Sequence, residues 1–272
     1  MVSTAFAPRF YRRYEGSWQR AGSVTGRNLA ALQSAYWIHI ISGFFEPLLY
    51  LLSIGVGVGA LIGRIPLPGG TSVTYATYVA PAMLASSAMT GALTESTFNF
   101  FAKMKISKIF DGVLATPVSP MEVAFGELMW AMARGALYSA AFLAIMVIMH
   151  LTSAGLAAIA FGAALLVGFA FGSVGMALST YVRGWQDFDL IGTIQVALFL
   201  FSATFTPLSA FHSATVRTII QVSPLYHAVV LIRAITLDQM SVGLLVHVAY
   251  LAALAVIGLL VASRRMANQL LK

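Results

Sequence analysis

The chain is 272 residues long, 59 % hydrophobic and 9 % charged. A soluble domain carries roughly 25 % charged residues, so this chain cannot cover a water-facing surface, and its long unbroken apolar runs exclude the short alternating strands of a membrane barrel. The net charge of +7 reads as basic loops of a helical membrane protein rather than nucleic-acid binding, and the absence of cysteine excludes thiol redox chemistry, disulfides and Cys-ligated metals.

Residues 1–35 carry Arg9, Arg12, Arg13, Arg20 and Arg27, with Phe6, Phe10, Tyr11, Tyr14 and Trp18 among them. That mixture predicts a segment lying on the cytoplasmic membrane surface; the alternative is a disordered basic tail. No short apolar stretch with a cleavage site marks a removable signal peptide.

A spanning helix needs roughly 20 apolar residues. The first candidate covers about 37–62 and contains Glu46, Pro47 and a close-packing glycine pair, Gly55 and Gly59. A Pro- and Gly-rich loop over 63–74 precedes the second, about 75–98, which carries Glu95 near its end. Then comes a charged island, Asn99 to Pro120, in which Lys103, Lys105 and Lys108 interleave with Phe101, Ile106, Ile109 and Phe110. It predicts a short helix with one apolar and one cationic side, pressed on the interface or on a partner. The alternative is a loop whose lysines only set topology.

The third span covers about 124–151, the fourth about 156–181 with Gly168 and Gly172 on one face, and the fifth about 190–207, after the polar stretch Arg183 to Asp189. Residues 208–241 are apolar enough to mimic a span, but counting them would send Arg264, Arg265 and Lys272 outside. They are therefore expected to dip into the outer leaflet and return. The sixth span is about 242–262, followed by a short cytoplasmic tail. Six spans put both termini in the cytoplasm, with Arg64, Arg217 and Arg233 outside.

Glu46, Glu95, Glu127 and Arg134 lie in or near these apolar runs. A charge at the bilayer centre costs at least about 2.5–3.5 kcal/mol, so such groups face protein, water or the boundary. Glu46 is the deepest. It is either a transport-path carboxylate or a structural group beside the Pro47 kink. Glu127 and Arg134 share a face two turns apart, but pairing with another helix is expected for each. No HExxH, GxSxG or P-loop is present. His212 and His227 share the outer excursion without carboxylates that would complete a metal site. A chain without a P-loop that works on ATP needs a separate ATPase.

Four stretches carry a resemblance: FFEPLLYLLSIGVGVG (44–59), YVAPAMLASSAMTGALTES (78–96), FDGVLATPVSPMEVAFGELMWA (110–131) and SPLYHAVVLIRAITL (223–237). In this order they resemble the permease subunits of ABC-2-type exporters, in the NodJ-like branch associated with lipo-oligosaccharide export. The resemblance implies an all-α membrane protein with 1–35 as an amphipathic interface helix and 36–272 as a six-helix domain. It also implies a cytoplasmic coupling helix over Asn99 to about Phe110 and re-entrant outer helices before the last span. Phe101, Lys103, Lys105, Ile106, Lys108, Ile109 and Phe110 would meet the ATPase. The chain would be no enzyme and hold no cofactor; ATP and Mg would sit in a nucleotide-binding subunit. A second permease copy and membrane lipids would be the other partners, in the inner membrane. The cargo would be a lipo-oligosaccharide, glycolipid or lipid-linked glycan, or alternatively a hydrophobic drug. A proton-coupled secondary transporter using Glu46 and Glu95 is the reading from another class, and it lacks the internal repeats common there.

Overall fold

The computed structural model describes residues 49, 51–67, 71–116 and 118–270. The basic segment 1–35, Glu46 and most of the first expected span lie outside the described residues. What remains of that span is π-wound over Ser53–Val58 and ends in a short helix, α1 (Gly59–Ile62). The stretch expected to be a loop forms a small hairpin instead: β1 (Arg64–Pro66) pairs antiparallel with β2 (Ser72–Thr74), Ile65 opposite Val73. Gly63 turns the chain into it at φ 75°, a conformation that only glycine adopts freely.

Helix α2 (Tyr75–Thr94) is the hub. Thr74 caps it by accepting from the Thr77 amide at 3.3 Å. Val79, Met83, Leu84, Met89 and Leu93 are all buried, and α4, α5 and α8 pack around it. A helix buried on nearly every face belongs in a core. The helical path overruns its expected end at 98, passing through π turns at Glu95–Asn99 and Ala102–Ile106. Lys108, at φ 47°, breaks it, and α3 (Ile109–Leu114) follows.

Helix α4 (Pro120–Ile148) starts with a capping box: the Ser119 amide donates to Glu122 at 2.7 Å and the Glu122 amide donates back to Ser119 Oγ at 3.3 Å. Pro120 occupies its first turn, where a missing N–H costs nothing. Then come α5 (Ala154–Ser179), α6 (Asp187–Leu200), α7 (Ala214–Val222), α8 (Pro224–Thr236) and α9 (Leu244–Leu270). Glycines set the closest crossings. A Cβ on Gly258 of α9 would lie 2.7 Å from the Ser173 carbonyl carbon of α5, and one on Gly175 would run into Ser96 Oγ. Gly172 and Gly168, the expected pair, face Leu128 and Met132 of α4.

Among the described helices, α4, α5 and α9 over Leu244–Asn268 are long and apolar enough to cross a membrane; α7 and α8, bent by 81° at Ser223, add a fourth if taken as one span. Helix α6 has 14 residues, about 21 Å at 1.5 Å per residue, so it is shorter than the expected span 190–207. It stops because Thr204 Oγ1 donates back to the Phe199 carbonyl at 2.9 Å and Ala203 turns left-handed at φ 54°. Helix α9 runs on to Leu270, so the basic stretch after Ala262 is helical. Among the described residues the buried apolar side chains form two clusters. The larger joins the hairpin, α2, α5 and α8; the smaller gathers Phe100, Met104 and Phe110 with the facing ends of α4, α5 and α9.

Candidate functional site

Of the polar groups expected in the apolar runs, Glu95, Glu127 and Arg134 are paired where α2 runs on into the charged island. Arg134 of α4 bonds Glu95 through Nη1 and Oε1, and Asn99 donates to the other Glu95 oxygen at 2.9 Å. Lys103 reaches Glu127 of α4 at 2.6 Å, with the Glu127 side chain 5 % exposed. Glu127 and Arg134 therefore each bond a different position of the run that continues α2. Two charge-assisted bonds eight residues apart on the island side, from 95 to 103, pin its first half to α4.

This pinning divides the island. Phe101 and Phe110 are 4 % and 0 % exposed, whereas Ile106 and Ile109 are 55 % and 39 % exposed. Phe110 packs on Phe100 with ring centroids 5.1 Å apart. Phe101 meets Trp185 and Phe188 from the beginning of α6 at 5.6 and 5.3 Å. Each such pair contributes about 0.5–1.5 kcal/mol beyond area burial. Lys105, Ser107 and Lys108 are exposed together with Ile106 and Ile109. The left-handed Lys108 makes the reversal between the π turn and α3. The outcome is a knuckle, residues 105–109, with two outward isoleucines and two outward lysines on a buried aromatic base.

The sequence reading missed what Arg233 does. From α8 its guanidinium donates to the Tyr78 carbonyl at 3.1 Å and the Tyr78 hydroxyl at 3.0 Å. It also donates to the carbonyls of Ala203 and Thr204, both at 3.1 Å, and it lies 3.8 Å over the Tyr78 ring. These bonds take up carbonyls freed where α6 unwinds, and tie α8, α2 and the α6 exit together. A lone arginine in the apolar run of 223–237 was the available signal. His227 meets His247 of α9, Nδ1 to Nδ1 at 2.7 Å. Tyr250 stacks on His227 at 3.9 Å.

The ABC-2 type transporter family profile matches residues 23–237. The chain belongs to the ABC-2 type transporter family. Its relatives include Nodulation protein J of Sinorhizobium fredii, 29 % identical over 236 residues, covering 86 % of this chain and 87 % of the relative. Nodulation protein J of Rhizobium leguminosarum bv. trifolii is 29 % identical over 252 residues, 92 % of this chain and 94 % of the relative. That of Rhizobium meliloti is 27 % identical over 237 residues, 86 % and 88 %. Membership makes the chain a membrane transport permease and implies an ABC ATPase partner.

Proposed function

We propose that this ABC-2 permease forms the membrane path of an ATP-driven exporter, and that its ATPase docks on the knuckle Lys105–Ile109. Two copies pair in the inner membrane with both termini cytoplasmic, and the cargo is an amphipathic lipo-oligosaccharide, glycolipid or lipid-linked glycan. ATP and Mg are held by the nucleotide-binding subunits, whose closure pushes on the knuckle. The observation that carries the reading is the exposure of Ile106 and Ile109 beside two lysines, on a segment whose base is buried and ion-paired. A surface that transmits force needs an outward apolar contact on a stiff mount. The pairing of Glu95 with Arg134 and Asn99 counts against a proton-carrier role for that carboxylate.

Burying an isoleucine contributes roughly 1.5–3 kcal/mol, whereas an exposed ion pair contributes about 0–1 kcal/mol. Ile106→Asp should therefore release the ATPase and abolish export while the permease still inserts, and Lys105→Ala should be much milder. The test is copurification of the ATPase with each variant, alongside export. Full retention of partner and export by Ile106→Asp would leave the island a topology-setting loop.

A further inference from the structure

Motion at the knuckle has to reach the membrane path through packed groups. Four aromatic rings occupy the junction between the island and α6. Phe98 and Phe101 come from the run that continues α2; Trp185 and Phe188 come from the approach to α6 and its first turn. Each ring of one side touches both rings of the other: Phe98 to Trp185 at 4.9 Å and to Phe188 at 5.5 Å, and Phe101 to the same two at 5.6 and 5.3 Å.

Helix α6 itself has no buried residue among those described. Along its length Gln195 donates to Thr90 of α2 at 2.7 Å. At its far end Ser202 bonds Ser223 at 3.0 Å, and Arg233 holds the carbonyls of Ala203 and Thr204. So α6 is gripped at its two ends and loosely held between them. Phe101 lies four residues before the knuckle and is buried against Trp185 and Phe188, while Phe98 and Trp185 keep an exposed outer side, so a shift of Phe101 displaces the two rings from α6 and its approach.

We propose that the Phe98, Phe101, Trp185 and Phe188 cluster couples the ATPase-docking knuckle to α6, making α6 the helix that moves in the transport cycle. Trp185 and Phe188 are positioning residues: they act through α6 and not on cargo or nucleotide. The proposal rests on the docking of the ATPase at residues 105–109. If the rings were only an aromatic anchor at the membrane boundary, their loss would leave the response of α6 to nucleotide unchanged.

The experiment uses the permease–ATPase complex in lipid vesicles, with a spin label on Ile194→Cys of α6 in the otherwise cysteine-free permease. ATP with vanadate should alter the label's spectrum in the parent complex. In Trp185→Ala the ATPase should still copurify, while the nucleotide-dependent change falls about tenfold, the scale of a typical coupling free energy. Trp185→Phe, which keeps an aromatic face, should restore most of it. Should Trp185→Ala not assemble, Phe188→Leu carries the test, with at least a halving expected. A full spectral change in these variants, or none in the parent complex with ATPase bound, overturns the proposal. Loss of the ATPase from Ile106→Asp, or its retention there, reports separately on the docking reading.

Discussion

A charge in an apolar bundle has to be neutralised where it stands, and the described residues do this in two ways. Glu95 and Arg134 use each other across two elements, with side chains 12 % and 18 % exposed. Removing one partner of a mostly buried pair strands the other, a loss of about 3–5 kcal/mol. Arg134→Met should thus destabilise by about 3 kcal/mol, and Glu95→Leu in the same chain should recover part of it. Thermal unfolding in detergent measures both; an unchanged Tm in Arg134→Met would refute a structural role for the pair. Arg233 instead uses carbonyls and an aromatic face. A lysine cannot reproduce that planar fork, so Arg233→Lys should cost about 2 kcal/mol or more, given roughly 1.5–3 kcal/mol per charged hydrogen bond. A Tm equal to that of the parent would contradict it. The pairing partners of Glu127 and Arg134 were legible only as a class, because residue spacing says that a charge needs a partner but not which helix supplies it. The role of Arg233 was not legible, since its acceptors lie 155 and about 30 positions away in sequence.

At the scale of elements, hydropathy located α4 and α5 within a few residues, since Ser119 and Ser153 cap both starts. Helix α6 ends at Leu200, ahead of the expected 207, because Ala203 turns left-handed and Thr204 bonds back to Phe199, not because apolar character is lost. The last helix continues past the expected span end at 262, through Arg264 and Arg265, to Leu270. In the structure Arg265 stacks on Tyr181 at 3.7 Å. The four-spaced glycines pointed to close packing on α5, but Gly258 makes the tighter approach and stands without a spaced partner of its own. Its would-be Cβ meets backbone of Ser173 and Val174 at 2.7 and 2.8 Å, which cannot rotate away. Gly258→Ala should therefore cost about 1–3 kcal/mol through overpacking. Gly162→Ala, where nothing lies within 4 Å, should be neutral or gain up to about 1 kcal/mol from helix propensity. Equal thermal stabilities for the two variants would contradict the assigned α5–α9 crossing.

For the whole molecule, the charge asymmetry predicts that residues 208–241 face outward while the knuckle faces the cytoplasm. The 81° bend between α7 and α8 suits a segment that enters and returns. Ser213→Cys in the cysteine-free chain should react with an impermeant thiol reagent added outside intact cells, and labelling only from the cytoplasmic side would overturn the six-span arrangement. The decisive question is whether the exposed knuckle is where the ATPase sits. Ile106→Cys and Ile109→Cys, each carrying a short thiol-linked photocrosslinker, should form an adduct with the ATPase on illumination of the assembled complex, and Val222→Cys on α7 should not. No adduct from either knuckle position, with one formed from Val222→Cys, would contradict the account at its centre.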